Sequence, residues 1–333
     1  MSVQVGEAIR KRIEWIDALK GFAIIWLIVY HFHVWEWLKS PVGVFFFLSG
    51  LFFSTGNSFG SFIKKKAKAL LVPLCFFFIL GIVTLFAGSI IMREDYSFPP
   101  IWKLFTLLPI TSELSNPIGV GAIWFLLALF DIYVIYYAIV RISKNKWWVI
   151  GVSCLSLILS AVLLQKYQAG SLFFLFNAMF FLPYFSVANL LKDFVLEGKF
   201  SWPFLLVLII GYATSFIDLT TFSNSMGGGI LLKVRDIISG LCLVLLLVYA
   251  FRSLSKFFSR QKALCHRFFL YEGKNSLTIL GIHMLFQIVL GLALKMVLPV
   301  GTYYYLLLFV LELIGCNIGV WIFNRYVPFL VNH

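Results

Sequence analysis

The sequence predicts an all-α polytopic membrane protein, a bundle of about ten transmembrane helices with both termini cytoplasmic. Three observations carry that expectation. Of the 333 residues, 61% are hydrophobic and 12% are charged, with Phe alone numbering 37; soluble domains average about 45–50% apolar and about 25% charged. Mean hydropathy is +0.97, and apolar runs near the roughly 20 residues needed to cross a bilayer recur along the whole chain. Basic residues collect in every second connection between those runs.

The spans are expected near 16–35, 42–60, 69–92, 119–140, 147–164, 171–191, 202–218, 229–251, 276–298 and 301–324. The first follows the charged stretch MSVQVGEAIRKRIEW. Its apolar run is too long for a signal peptide and no small-residue cleavage site follows, so it is expected to stay as a span behind a basic segment, 1–14. The stretch 99–118, with "PPIWKLFTLLPI", is too short to span and suits an interfacial or re-entrant helix. Arg10, Lys11 and Arg12 precede the first span, and Lys64, Lys65, Lys66 and Lys68 follow the second. Arg141, Lys144 and Lys146 follow the fourth, Lys192 and Lys199 the sixth, and Arg325 the tenth. The richest connection, 252–274, follows the eighth. The positive-inside rule puts these loops and both termini in the cytoplasm. No polar stretch is long enough for an appended soluble domain, so 1–333 is expected to be one integral-membrane unit.

Topology also accounts for the net charge of +13, which in a soluble chain would suggest nucleic acid. Five scattered cysteines with no C-x-x-C pair read as small apolar fillers and argue against a disulfide framework or a zinc site. No internal repeat argues for an inverted-repeat transporter. "GKNS" at 273–276 lacks the upstream glycine of a phosphate-binding loop, where Phe268 stands instead, and Ser49 lacks the G-x-S-x-G elbow. "GGG" at 227–229 reads as an outer loop.

Ionisable residues inside spans are costly and mark cavities or partners. The first span carries Asp17, Lys20, His31 and His33; further along stand Asp131, Lys233, Arg235, Asp236, His283, Lys295 and Glu312. Lys20 and His31 are eleven residues apart, which on a helix is about 16 Å and within about 20° of one face. Asp17 shares that face one turn below Lys20, close enough for an i,i+3 contact. His33 is turned about 200° from His31, toward an interfacial belt with Trp35, Glu36 and Trp37. A metal site from His31, His33 and Glu36 is disfavoured because the two imidazoles face apart. Snorkelling explains Asp17 and Lys20 without function, and a packed, hydrogen-bonded side chain explains His31 equally simply.

"RIEWIDALKGFAIIWLIVYH" followed by "FFFLSGLFF" resembles the opening of the acyltransferase 3 family of bacterial membrane O-acyltransferases, nearest to its fucose 4-O-acetylase-like branch. "FIKKKAKALLVP" (62–73), "AIWFLLALF" (122–130) and "YEGKNSLTILGIH" (271–283) are similar to further family motifs, in family order. The family's first helix has a basic residue, then ten residues, then a histidine; here the pattern falls on Lys20 and His31. Arg is commoner at the first position and would present a bidentate fork, whereas Lys20 is a point charge.

The resemblance implies transfer of an acetyl or other acyl group from cytoplasmic acyl-coenzyme A to a hydroxyl of a sugar, glycolipid or polysaccharide, in the inner membrane of a bacterium. Acetyl-CoA is then a donor substrate, and no tightly bound cofactor or metal is expected. Lys20, Asp17, Lys65, Lys66 and Lys68 become donor-binding candidates, although cytoplasmic loops are basic for topology in any case. A histidine of ordinary pKa near 6.5 is suited to take a hydroxyl proton, worth about 10²–10⁴-fold, so His31 becomes the general base; a covalent acyl-His31 relay is the alternative. Oxyanion or acceptor candidates are Trp124, Asn275, Ser276 and His283, of which Asn275 and Ser276 are equally placed to cap the ninth span. The rival reading is a transporter or flippase for a polar solute using the same intramembrane charges; a third is a structural or signalling membrane protein.

Overall fold

The computed structural model describes residues 13–34, 39–56, 58–92, 121–166, 174–217, 226–261 and 264–328. Among them the chain is helical, with no strand. The helices are α1 (Glu14–Tyr30), α2 (Val42–Leu51), α3 (Phe59–Met92), α4 (Trp124–Ile142), α5 (Lys146–Lys166) and α6 (Leu175–Leu190). The short α7 (Lys192–Glu197) precedes α8 (Trp202–Ala213), α9 (Met226–Gln261), α10 (Leu264–Lys274), α11 (Ser276–Lys295) and α12 (Thr302–Tyr326). Among the described residues six segments are long and apolar enough to cross a membrane: Phe59–Thr84, Gly121–Ile142, Lys146–Leu164, Gly229–Ser255, Ser276–Lys295 and Thr302–Tyr326. The expected interfacial segment at 99–118 and most of segment 1–14 lie outside the described residues.

Several expected boundaries are corrected. The second span, expected over 42–60, is helical only to Leu51, because Ser54, Thr55 and Gly56 favour local turns over helix. Its part-buried end is finished from another helix: Asn189 of α6 donates to the carbonyls of Gly50 (3.2 Å) and Phe53 (3.5 Å), and accepts from the Tyr136 hydroxyl (3.0 Å). A helix end away from water needs such partners for its free carbonyls. α3 then starts at Phe59, so the lysines of 64–68 ride on its first turns and not in a loop. Of the connection 252–274, residues 252–261 are likewise helical as the end of α9, and 264–274 form α10. His266, Phe269 and Gly273 recur on one face of α10 at helical spacing, and His266 and Gly273 are buried. The glycines at 227–229 sit in α9, not in a loop; their propensity cost of about 1 kcal/mol each is outweighed by a 36-residue helix.

Glycine sets how closely the central helices approach. α1 packs against α10 with backbones in contact: a Cβ on Gly21 would collide with the Phe269 carbonyl, and one on Gly273 with the Asp17 carbonyl. Small residues allow this approach where no hydrophobic effect drives helices together. Gly50 does the same between α2 and the Phe185 backbone of α6. Around these crossings Phe46, Phe47, Phe77, Phe78 and Phe185 fill the interior, each below 2% exposed. Phe46 stacks on Phe181 at 4.8 Å and meets Phe125 at 4.7 Å, which fixes α2, α4 and α6 around one wall of the site.

Candidate active site

α1 ends where the chemistry-bearing residue begins. His31 is its C-cap, its N–H donating to Leu27 (3.1 Å). Two residues on, His33 takes a left-handed φ of 53°, which turns the chain away; His33 is exposed, and its direction is set by this turn and not by continued helix. The His31 carbonyl accepts from Gln287 Nε2 at 3.0 Å.

On α11, His283 is 0% exposed and its Nε2 lies 3.0 Å from His31 Nδ1. Its Nδ1 lies 3.1 Å from both the Ile279 and Leu280 carbonyls. Carbonyl oxygens only accept, so His283 Nδ1 carries the proton and its Nε2 is an acceptor. His31 Nδ1 must then be the donor, which leaves the His31 lone pair on Nε2. A backbone carbonyl pair therefore sets the tautomer of His283, which in turn sets that of His31.

His31 lines a cavity of about 440 Å³, within the size range of small-molecule sites. Tyr30, Trp124, Phe181, Asn177 and Lys233 share its wall. Trp124, the first residue of α4, is held by Phe174 (5.9 Å) and Phe181 (6.0 Å). Phe174 has φ 62°, a conformation unusual for a bulky residue and costing about 1–3 kcal/mol. Among the described non-glycine residues only His33 and Phe174 have positive φ, and both adjoin residues of this cavity. Lys233 Nζ donates to the Ala161 carbonyl at 3.2 Å, and Asn177 Oδ1 is buried without a hydrogen-bond partner.

The remaining sequence candidates are placed elsewhere. Asp17 and Lys20 form a 4.0 Å ion pair at the far end of α1, with Asp17 buried beside Gly273. Lys65 and Lys68 are exposed, whereas Lys66 turns inward with Nζ 3.6 Å from the Tyr133 ring centre. Asn275 precedes α11 without capping it by its side chain. Its Nδ2 donates to the Tyr271 carbonyl (2.8 Å) and its Oδ1 accepts from Asn324 (3.2 Å). Ser276 opens α11, seven residues from His283 and thus about 10 Å along the axis. Neither lines the cavity. His283, expected as an oxyanion donor, has both ring nitrogens engaged and touches His31 instead. Glu312 is 0% exposed with neither carboxylate oxygen hydrogen-bonded, and Glu272 Oε1 accepts from Asn317 at 3.0 Å.

Two cavity residues escaped the sequence reading as site candidates. Lys233 stood out only as one more intramembrane charge, and Asn177 gave no signal, being a neutral amide in an aromatic run. Among the described residues no group of three or more His, Cys, Asp or Glu side chains is placed to hold a metal.

No curated protein and no solved structure matches the chain. The model of the acyltransferase domain family does match, over residues 13–323, a stretch running from the start of α1 nearly to the end of α12 and including both histidines. The chain therefore belongs to the acyltransferase 3 family and is a multi-pass membrane acyltransferase.

Proposed function

We propose that the protein moves an acetyl or related acyl group from acyl-coenzyme A to a hydroxyl of a cell-envelope or exported sugar, with His31 as general base. The observation that supports this most directly is the 3.0 Å contact between His31, which lines the cavity, and the buried His283 behind it. Such an oriented imidazole leaves one defined basic nitrogen. The acceptor hydroxyl gives its proton to His31 Nε2 while its oxygen bonds to the thioester carbonyl carbon. The oxyanion then collapses, the C–S bond breaks, and the proton on Nε2 passes to the departing thiolate. His283 keeps the imidazole in register, as the third member of a catalytic triad does. Lys233 and Trp124 carry N–H groups on the same wall and suit the oxyanion.

Ten passes take the six long apolar segments with the shorter apolar helices α1, α2, α6 and α8, of which α2 is helical over only about 15 Å of its pass. Both termini are then cytoplasmic in a bacterial inner membrane, and Asp17, Lys20 and Lys66 lie at the end that meets the donor. Lys20 in place of the commoner Arg, with the motifs around it, fits the fucose 4-O-acetylase-like branch.

Purified protein in lipid nanodiscs, given isotope-labelled acetyl-CoA and methyl pyranosides, is expected to form hydroxylamine-sensitive O-acetyl ester. His31→Ala is expected to lower turnover by about 10²–10⁴-fold at unchanged yield of folded protein. Near-normal turnover in that variant overturns the general-base assignment. Gradient-driven uptake of the glycoside with no ester formed would favour a transporter.

A further inference from the structure

Beside the His31 cavity lies a second pocket, of about 150 Å³, bounded by α1, α2, α6, α8 and α9. Aromatic rings, among them Trp26, Tyr184 and Tyr212, share its lining with small and aliphatic residues, and Lys39, Ser40, Asp236 and Ser239 are polar or charged groups there. The Trp26 indole N–H is buried without a hydrogen-bond partner. Asp236 lies 3.7 Å from Lys39 Nζ and 3.2 Å from Arg235 Nη2. Tyr184 is seated by two absences: a Cβ on Gly43 of α2 would strike its ring, and a Cβ on Gly240 of α9 its hydroxyl. Ser40, Phe180 and Phe181 belong to the walls of both cavities, so the small pocket adjoins the cavity that His31 lines.

The chemistry of this pocket selects its occupant. Aromatic faces cover apolar C–H surface, while an unpaired indole donor and a carboxylate seek hydroxyl partners. An acyl chain is disfavoured because it would leave the buried Trp26 indole N–H unpaired. A pyranose ring offers both features, C–H faces and a rim of hydroxyls. We propose that this pocket is the acceptor subsite, holding one pyranose ring against Trp26 and Tyr184. Asp236 accepts from its hydroxyls, the Trp26 indole donates to one, and a neighbouring hydroxyl passes Phe180 and Phe181 to reach His31. The proposal rests on the acyltransferase reading, and its test separates the two.

The full-length protein in nanodiscs is irradiated with diazirine-bearing methyl glucoside, galactoside and fucoside, and the labelled peptides are mapped by mass spectrometry. Label is expected around Trp26, Tyr184 and Tyr212, competed by excess unmodified glycoside. With the same methyl glycosides as acceptors, Asp236→Asn and Trp26→Phe are each expected to raise the acceptor KM about tenfold or more. The KM for acetyl-CoA stays as in the parent. His31→Ala is expected to label normally while transfer falls about 10²–10⁴-fold. Ester formation with unchanged acceptor KM in both variants, or competed label confined elsewhere, overturns the subsite. The absence of any competed label overturns it too. Label in this pocket with no ester from the parent protein sinks the acyltransferase reading and leaves a sugar site without that role.

Discussion

The two ends of α1 solve opposite problems. At its start, Gly21 and Gly273 bring α1 and α10 into backbone contact, and Asp17 is 3% exposed with Lys20 4.0 Å away. At its finish the helix stops, the chain turns at His33, and His31 stands on the wall of a 440 Å³ cavity. The first end is filled by main chain and the second is hollow. Packing without voids lets a helix carry a fixed load; the cavity at its far end then has a rigid wall on which to set an imidazole. The near end thus serves the far one by holding it still.

Predictions that break this contrast run from the hollow end to the closed one. Beyond the loss expected for His31→Ala, His283→Phe removes the acceptor that fixes His31 Nδ1, and kcat is expected to fall about 10–100-fold, as when a partner that orients a ligand is lost. The KM for acetyl-CoA is expected to be unchanged, and steady-state kinetics on the nanodisc protein separates the two. At the closed end, Gly273→Ala forces a methyl into the Asp17 carbonyl. It should destabilise the fold by about 1–3 kcal/mol or more, read as a lower melting temperature in detergent and a poorer yield. Gly60→Ala, where a Cβ meets nothing within 4 Å, is the control expected to change neither.

Smaller effects sharpen the comparison. Gln287→Ala removes a 3.0 Å hydrogen bond to the His31 carbonyl and is expected to lower kcat about three- to tenfold, in line with about 0.5–1.5 kcal/mol per hydrogen bond. Lys66→Gln is expected to raise the KM for acetyl-CoA several-fold, whereas Lys65→Gln and Lys68→Gln, both on the exposed face of α3, leave it within about twofold. Equal effects at all three lysines would return the cluster to a purely topological role.

Some of this was legible in the chain. Helical spacing put Asp17 within reach of Lys20, and the structure has them 4.0 Å apart. The motif "YEGKNSLTILGIH" was recognisable, but what its parts do was not. Gly273 makes a close crossing, Asn275 ties α10 to α12 through Tyr271 and Asn324, Leu280 lines the cavity, and His283 stands behind it against His31. The basic run at 64–68 looked like one patch, yet α-helical rotation sends Lys66 to Tyr133 and its neighbours outward. Asn177, Trp26 and Tyr184 left no mark in the sequence, because apolar and aromatic residues surround them in every span.

By itself the sequence determined what acts through composition and local periodicity. It put the chain in the bilayer, marked the apolar helices from their hydropathy, and set Asp17, Lys20 and His31 along one segment, since these depend on residues close in the chain. Tertiary structure alone decided which nitrogen of His31 is basic. That proton assignment runs from the Ile279 and Leu280 carbonyls through His283 to a residue 252 positions away. Only packing brings such groups within hydrogen-bond distance, and a hydrogen bond requires contact whatever the separation along the chain.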